Sequence, residues 1–386
     1  MTRMVAAALL VAGWTGGVGA QWLEQVISLP DSFGALVSPR VIVSSPVSNR
    51  VYVGGQEGEA TIAIDGATDQ KIARIPTGYF AIDMCYNANS DKVYSCNYYD
   101  ANLTVIDCVT NQATPVGIGW GNIGLGHNPT DNKVYVANYV SGVVTVIDGS
   151  TNQVIRSIAV GQRPFALGHN SVNDRVYCSN ELSNTVSVID GKGDSVMATI
   201  AVGSNPRMLS YNPASNRVYC ANVISNSLSI IDGSSHQVRA TIAIGSDCRA
   251  LCWNPADSML YCACAGTNSV LVIDGVGDSI RAVIPVGARP TALTCNPATN
   301  HVFCANQDGN TVSVIDGAQQ AVIATVACGN YPRAIAFNPA SGKCYTANWR
   351  SCDVTVIQDS PGTRGFASGR PVGVSFCSRS RPRGLT

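Results

Sequence analysis

Charge is scarce in this sequence. Only 13% of its 386 residues are Asp, Glu, Lys or Arg, and the 25 acidic and 25 basic side chains cancel. A soluble domain ordinarily carries about 25% charged residues. Net neutrality excludes a protein that works through bulk charge, so no specific nucleic acid is expected as a partner, nor a polybasic hold on a membrane surface. Histidine is scarcer still, with four in the chain. There is no Gly-x-Ser-x-Gly elbow, no phosphate-cradling glycine loop and no His-Glu-x-x-His helix. No catalytic residue and no cofactor are therefore expected. After the first twenty residues no apolar run is long enough to cross a bilayer, so no transmembrane segment is expected. An apolar content of 46% argues against disorder.

What is present begins with a three-part N-terminus. Arg3 precedes an apolar run from Met4 to Trp14, and small residues follow to Val18-Gly19-Ala20. That order of charge, short apolar core and small residues is the pattern of a secretory signal peptide. Cleavage after Ala20 is expected, leaving residues 21–386 in an extracytoplasmic compartment: secreted, periplasmic or at the cell surface.

The chain then repeats itself. The Asp that closes a Val-Ile-Asp-type segment recurs at Asp65, Asp107, Asp148, Asp190, Asp232, Asp274 and Asp316, with steps of 42, 41, 42, 42, 42 and 42. An eighth copy ends at Ile357-Gln358 without its Asp. A period in this range fits one four-stranded propeller blade. In one repeat, Pro206–Tyr211 reads as strand A, Arg217–Ala221 as B, Ser227–Ile231 as C and Val238–Ile244 as D. Asn-Pro and Asp-Gly turns separate A from B and C from D. Strand A starts fall near Pro39, Ala81, Asn122, Pro164, Pro206, Cys248, Pro290 and Pro332, which makes eight A-B-C sets. Only seven D segments lie between them. The missing one is assigned to Trp22–Leu29, an N-terminal outer strand that completes the last blade and leaves no open edge at the seam. The expectation is an all-β, eight-bladed β-propeller over residues 21–358, with seven blades plus a displaced repeat as the alternative. In the tail 359–386, Gly369–Val374 reads as another strand A start, and Ser378–Thr386 reads either as disordered or as a rival to Trp22–Leu29 for the closing strand.

The wording of the repeat, as in Val134-Tyr135-Val136-Ala137-Asn138 and Thr185-Val186-Ser187-Val188-Ile189-Asp190, resembles the YVTN-repeat β-propeller family. The resemblance covers nearly the whole chain after residue 20. It implies a propeller of the surface-layer or periplasmic kind, while distant propeller relatives carry lactonase or electron-transfer sites on residues added to the fold.

Fifteen cysteines in an exported chain would ordinarily signal disulfides. Cys178, Cys220, Cys262 and Cys304, however, stand 42 apart in place of the strand B valine, and equivalent positions on neighbouring blades lie about 10 Å apart, beyond disulfide reach. They read as small buried apolar residues. Blade 6 is the exception. Cys248 and Cys252 on strand A face Cys262 and Cys264 on strand B, so either Cys248–Cys264 or Cys252–Cys262 is a cross-strand disulfide candidate, and a four-thiolate zinc site is the lesser alternative.

Two further groups of residues are singled out. His127 and His169 occupy one phase of the repeat, where other blades place Ser44, Tyr86, Tyr211, Trp253, Cys295 and Phe337. Packing is the favoured reading, metal or haem contact the alternative. No carboxylate recurs beside them. At the D-to-A junctions, six of eight blades place an arginine: Arg40, Arg163, Arg207, Arg249, Arg289 and Arg333. The other two offer Tyr79, Phe80 and Trp120. In a propeller these junctions ring the channel mouth. A basic mouth with an aromatic sector suits a protein partner, an anionic glycan or a small anion. The leading functional reading is an exported, non-catalytic binding or interaction propeller, with a cell-surface component as one form of it. The alternative is a lactonase-like hydrolase or a cofactor-bearing redox propeller subunit.

Overall fold

The computed structural model describes residues 22–30 and 36–359, and these form eight antiparallel four-stranded sheets in a ring. There is no helix among them. Seven sheets use four consecutive strands. The eighth takes its three inner strands from Pro332–Asn338, Lys343–Asn348 and Asp353–Gln358 and its outer strand from Trp22–Ser28. The eight-bladed expectation and its N-terminal closing strand are both met. Seven strand A starts coincide with those read from the sequence. Blade 1 begins two residues early, at Val37. The expected signal peptide, and the tail beyond residue 359, lie outside the described residues.

The local chemistry of one blade explains its repetition. Strands B and C are buried on both faces. The repeated aspartates end strand C, and each carboxylate caps its own turn. Asp148, for example, accepts the amides of Ser150 and Thr151 at 2.9 and 2.8 Å. Hydrogen bonds from the Thr151 backbone hold the Asp148 carboxyl below the ordinary carboxylate range. These are turn residues, as their period implies.

Four residues after each closing Asp the backbone adopts positive φ: Asp69, Asn111, Asn152, Asp194, His236, Asp278 and Gln320 lie between 50° and 62°. Asn and Asp enter this region at the least cost among residues with a side chain. From there the side chain reaches back to strand B of the preceding blade. Arg50 donates to Asn111 at 3.1 Å, Lys92 to Asn152 at 3.0 Å, Lys133 to Asp194 at 2.8 Å and Arg217 to Asp278 at 2.6 Å. Lys343 to Asp69 at 2.7 Å spans the seam between blades 8 and 1. His301 meets Asp359 at 3.0 Å. Asp359 therefore belongs to the ring rather than to the tail. It is fully buried and also accepts from Asn296 and Thr299. His301 is the first residue of a strand B.

Between these clasps the blades pack through one large buried ring each. Tyr52, Tyr94, Tyr135, Tyr177, Tyr219, Tyr261, Phe303 and Tyr345 are all fully buried on strand B. The strand B cysteines share that fate. Cys178, Cys220, Cys262 and Cys304 have no exposed surface.

Candidate functional site

The start of strand A, the end of B, the start of C and the end of D meet at one end of every blade. The D-to-A and B-to-C loops thus form one face of the ring, and they are stitched together there. The Glu181 amide donates to the Arg163 carbonyl at 2.9 Å, and the Gln307 amide to the Arg289 carbonyl at 2.8 Å. Arginines at the D-to-A junctions stand at this face, but they differ in what they can do.

Two are built into the protein. Arg40 is buried, with its guanidinium 5.2 Å from the Phe80 ring of the next blade. Phe80 is itself buried and so offers no open stacking surface. Arg207 lies 5.1 Å from the Phe165 ring and forms a 2.6 Å ion pair with Glu181. Asn205 donates to the same carboxylate oxygen at 2.8 Å. Burial alone would raise the Glu181 carboxyl. The Arg207 charge and the hydrogen bonds outweigh it, and the net shift is downward.

The remaining four are nearer solvent. Arg163 is exposed, stacked 5.3 Å from Tyr139. Arg249 makes a bidentate pair with Asp247, both contacts at 2.7 Å. Arg289 is only loosely matched by Asp308, at 3.8 Å. Arg333 sits between Tyr331 and Trp349, 5.8 and 5.5 Å from their rings. Its ionisation is pushed down to about 10, first by burial and then by the charges of Arg249 and Arg289. Three consecutive blades therefore converge cationic groups on one sector. A cleft of about 390 Å³ opens beside it, lined by Asn205, Arg207, Ile224, Cys248 and Arg249 among others.

The adjoining arc of the face, in blades 2 to 5, exposes apolar groups, and more of them than the D-to-A junctions alone disclose. Tyr79 and Trp120 are exposed as expected, at 39% and 63%. Beside them, the second residue of the B-to-C loop is Tyr99, Val140, Leu182 and Ile224 in blades 2 to 5, with exposures of 40%, 72%, 54% and 66%. In blades 6 to 8 the same position holds Gly266, Asp308 and Arg350. Sequence reasoning missed this arc. The signal lay in comparing one loop position across repeats rather than one blade at a time.

The two histidines sit at the other face. His127 is buried and His169 largely so. The expectation that no carboxylate accompanies them is corrected. The A-to-B turn returns Asp174 to His169, at 3.2 Å, and burial, then the neighbouring Asp174, raises the Asp131 carboxyl above its ordinary range. Lys133 and its partner Asp194 border the same group. Among the described residues no group of three or more His, Cys, Asp or Glu side chains is placed to hold a metal ion. Asp83, the odd carboxylate of strand A in blade 2, accepts the Leu125 amide of blade 3 at 2.8 Å.

Burial, with a smaller contribution from His169, lowers His127 to about 4. The folded state keeps this imidazole neutral, whereas the unfolded chain takes up a proton below about 6.5. The unfolded state binds more protons over that window, so stability falls as pH drops from 6.5 to 4. The loss from this one residue is about 3 kcal/mol at the acid end. His127→Phe, the residue type of blade 8 at this position, is expected to flatten the profile; urea unfolding from pH 7 to 4 checks it.

Comparison with known proteins agrees with this architecture. A family model for YNCE-like β-propellers matches residues 162–364, just over half of the chain. The chain belongs to the YNCE-like β-propeller family. Among solved structures, this YNCE-like propeller is similar to Kuenenia stuttgartiensis hydrazine synthase, with 19% identity and a TM-score of 0.60 over 84% of this chain and 96% of that one. At that identity the likeness concerns the fold. No curated protein matches the YNCE-like chain.

Proposed function

We propose that this propeller is an exported binding module that captures an anionic ligand or acidic protein segment at the face formed by its D-to-A and B-to-C loops. The observation that carries this reading is the convergence of Arg249, Arg289 and Arg333 from three successive blades. The last of these is partly desolvated and destabilised by the other two. An anion placed among them would relieve that repulsion through charge-assisted hydrogen bonds. The exposed arc of Tyr79, Tyr99, Trp120, Val140, Leu182 and Ile224 supplies apolar contact on the same face, and contiguous exposed apolar groups of this kind mark interaction surfaces. The N-terminal pattern of residues 1–20 supports export, and the eightfold Val-Tyr-Val-Ala-Asn-type wording supports a narrower kinship with YVTN-repeat proteins of the cell surface.

The test is titration calorimetry with two probes, a sulfated oligosaccharide and a glutamate-rich peptide. The wild-type chain should bind at least one of them. Arg289→Ala combined with Arg333→Ala should weaken that binding at least tenfold, while Arg333→Lys alone retains more of it. The thermal midpoint of each variant is recorded alongside. Failure of both probes to bind, or an unchanged affinity in the double variant, overturns the proposal.

A further inference from the structure

Blade 6 concentrates thiols as no other blade does. Cys248 opens its strand A, while Cys262 and Cys264 lie on strand B. The ladder sets Cys248 opposite Cys264 and Cys252 opposite Tyr261. Neither of the pairings expected from the sequence is the one the sulfurs make. A bulge between Cys248 and Ala250 offsets the ladder, and the Cys248 sulfur meets that of Cys262 at 3.0 Å. Cys262 and Cys264 are farther apart, at 3.8 Å, on one strand. Cys252 has its own thiol neighbour, Cys295 of blade 7. From 3.0 Å a small side-chain rotation reaches the sulfur–sulfur bond length of about 2.05 Å.

Access is one-sided. Cys248 lines the cleft between Arg207 and Arg249, whereas Cys262 and Cys264 have no exposed surface. Cys248, at 2% exposure, is itself buried, but it is the first thiol of the pair that an oxidant in the cleft meets.

We propose that Cys248 and Cys262 form a disulfide when the protein meets a disulfide-type oxidant, with Cys248 as the entry thiol and Cys262 as the resolving thiol. The Cys248 thiolate attacks the external disulfide, forms a mixed disulfide and releases one thiolate of the oxidant. The Cys262 thiolate then attacks the Cys248 sulfur, and the second thiolate of the oxidant leaves. Two protein thiols lose two protons and two electrons, and the oxidant becomes two thiols. The bond joins strands A and B directly beneath the cleft that borders the arginine sector.

The full chain is incubated with glutathione disulfide, quenched in acid, alkylated without reductant and mapped by peptide mass spectrometry. The expected product links the peptides of Cys248 and Cys262, with the loss of their two alkylation sites. Full alkylation of both peptides, or a link from Cys248 to any other cysteine, overturns the proposal. Cys262→Val, the residue of blade 3 at this position, removes the resolving thiol without opening a large void. In that variant Cys248 should accumulate as the glutathione mixed disulfide. An unmodified Cys248 there would refute the assignment of the entry thiol.

Discussion

Deleting residues 22–29 is expected to abolish the cooperative folding of the ring. Those residues supply the outer strand of blade 8, with Cα partners running from Trp22–Gln358 to Ser28–Asp353. Ile27 and Leu29 are buried at 5% and 0% exposure, packed with Val354 and Val356 in one cluster. Truncating two such side chains costs about 4–10 kcal/mol together. The strand's backbone bonds add about 1 kcal/mol each. The total rivals the whole stability of an ordinary domain, about 5–15 kcal/mol. Deletion would also bare the edge of Asp353–Gln358, a ready template for pairing between molecules. Size-exclusion chromatography should show aggregate, and circular dichroism should show no sharp thermal transition. A monomer with an unchanged midpoint would count against closure by this strand. The milder double change Ile27→Ala with Leu29→Ala should leave a folded ring with a clearly lower midpoint.

Replacing Arg207 by Ala should destabilise the protein by roughly 3–5 kcal/mol, because it strands the Glu181 carboxylate, which is almost wholly enclosed, without its cation. A rim arginine that served only a ligand would show no such loss. Pairing Arg207→Met with Glu181→Leu should restore much of the stability, since removing both charges of a buried pair is often close to neutral. Urea unfolding of the two single variants and the double variant gives the cycle. If Arg207→Ala unfolds at the wild-type urea concentration, the ion pair contributes nothing to the fold. The same cycle explains why Arg289 and Arg333, rather than Arg207, are the residues on which binding is tested.

Much of the fold was legible because a blade can close only on its neighbour, so the chain must return to the same place every 41–42 residues. The closing strand followed from counting, since eight inner sets and seven outer strands leave one to find. The rim was legible only in part. The position of each arginine follows from the period, but its company does not. Glu181 reaches Arg207 from the B-to-C loop of the preceding blade, twenty-six residues earlier, and no pattern within one repeat reveals that contact. Asp174 beside His169 was nearer to hand, five residues on across a hairpin. The blade 6 thiols show a third case. The pairing register was among the alternatives read from the sequence, but the Cys248 sulfur meets Cys262 rather than its ladder partner Cys264. A bulge opens strand A in all eight blades, so it belongs to the repeat; which facing thiol a sulfur meets depends on side-chain packing, which composition and period do not encode.

The closing strand also fixes how the ring faces its surroundings. Trp22 lies opposite Gln358, so the chain enters and leaves the ring at one corner, on the side away from the arginines and the exposed aromatic arc. Anything joined to the ring at Trp22 or Asp359 would therefore meet the face opposite the cationic and apolar loops.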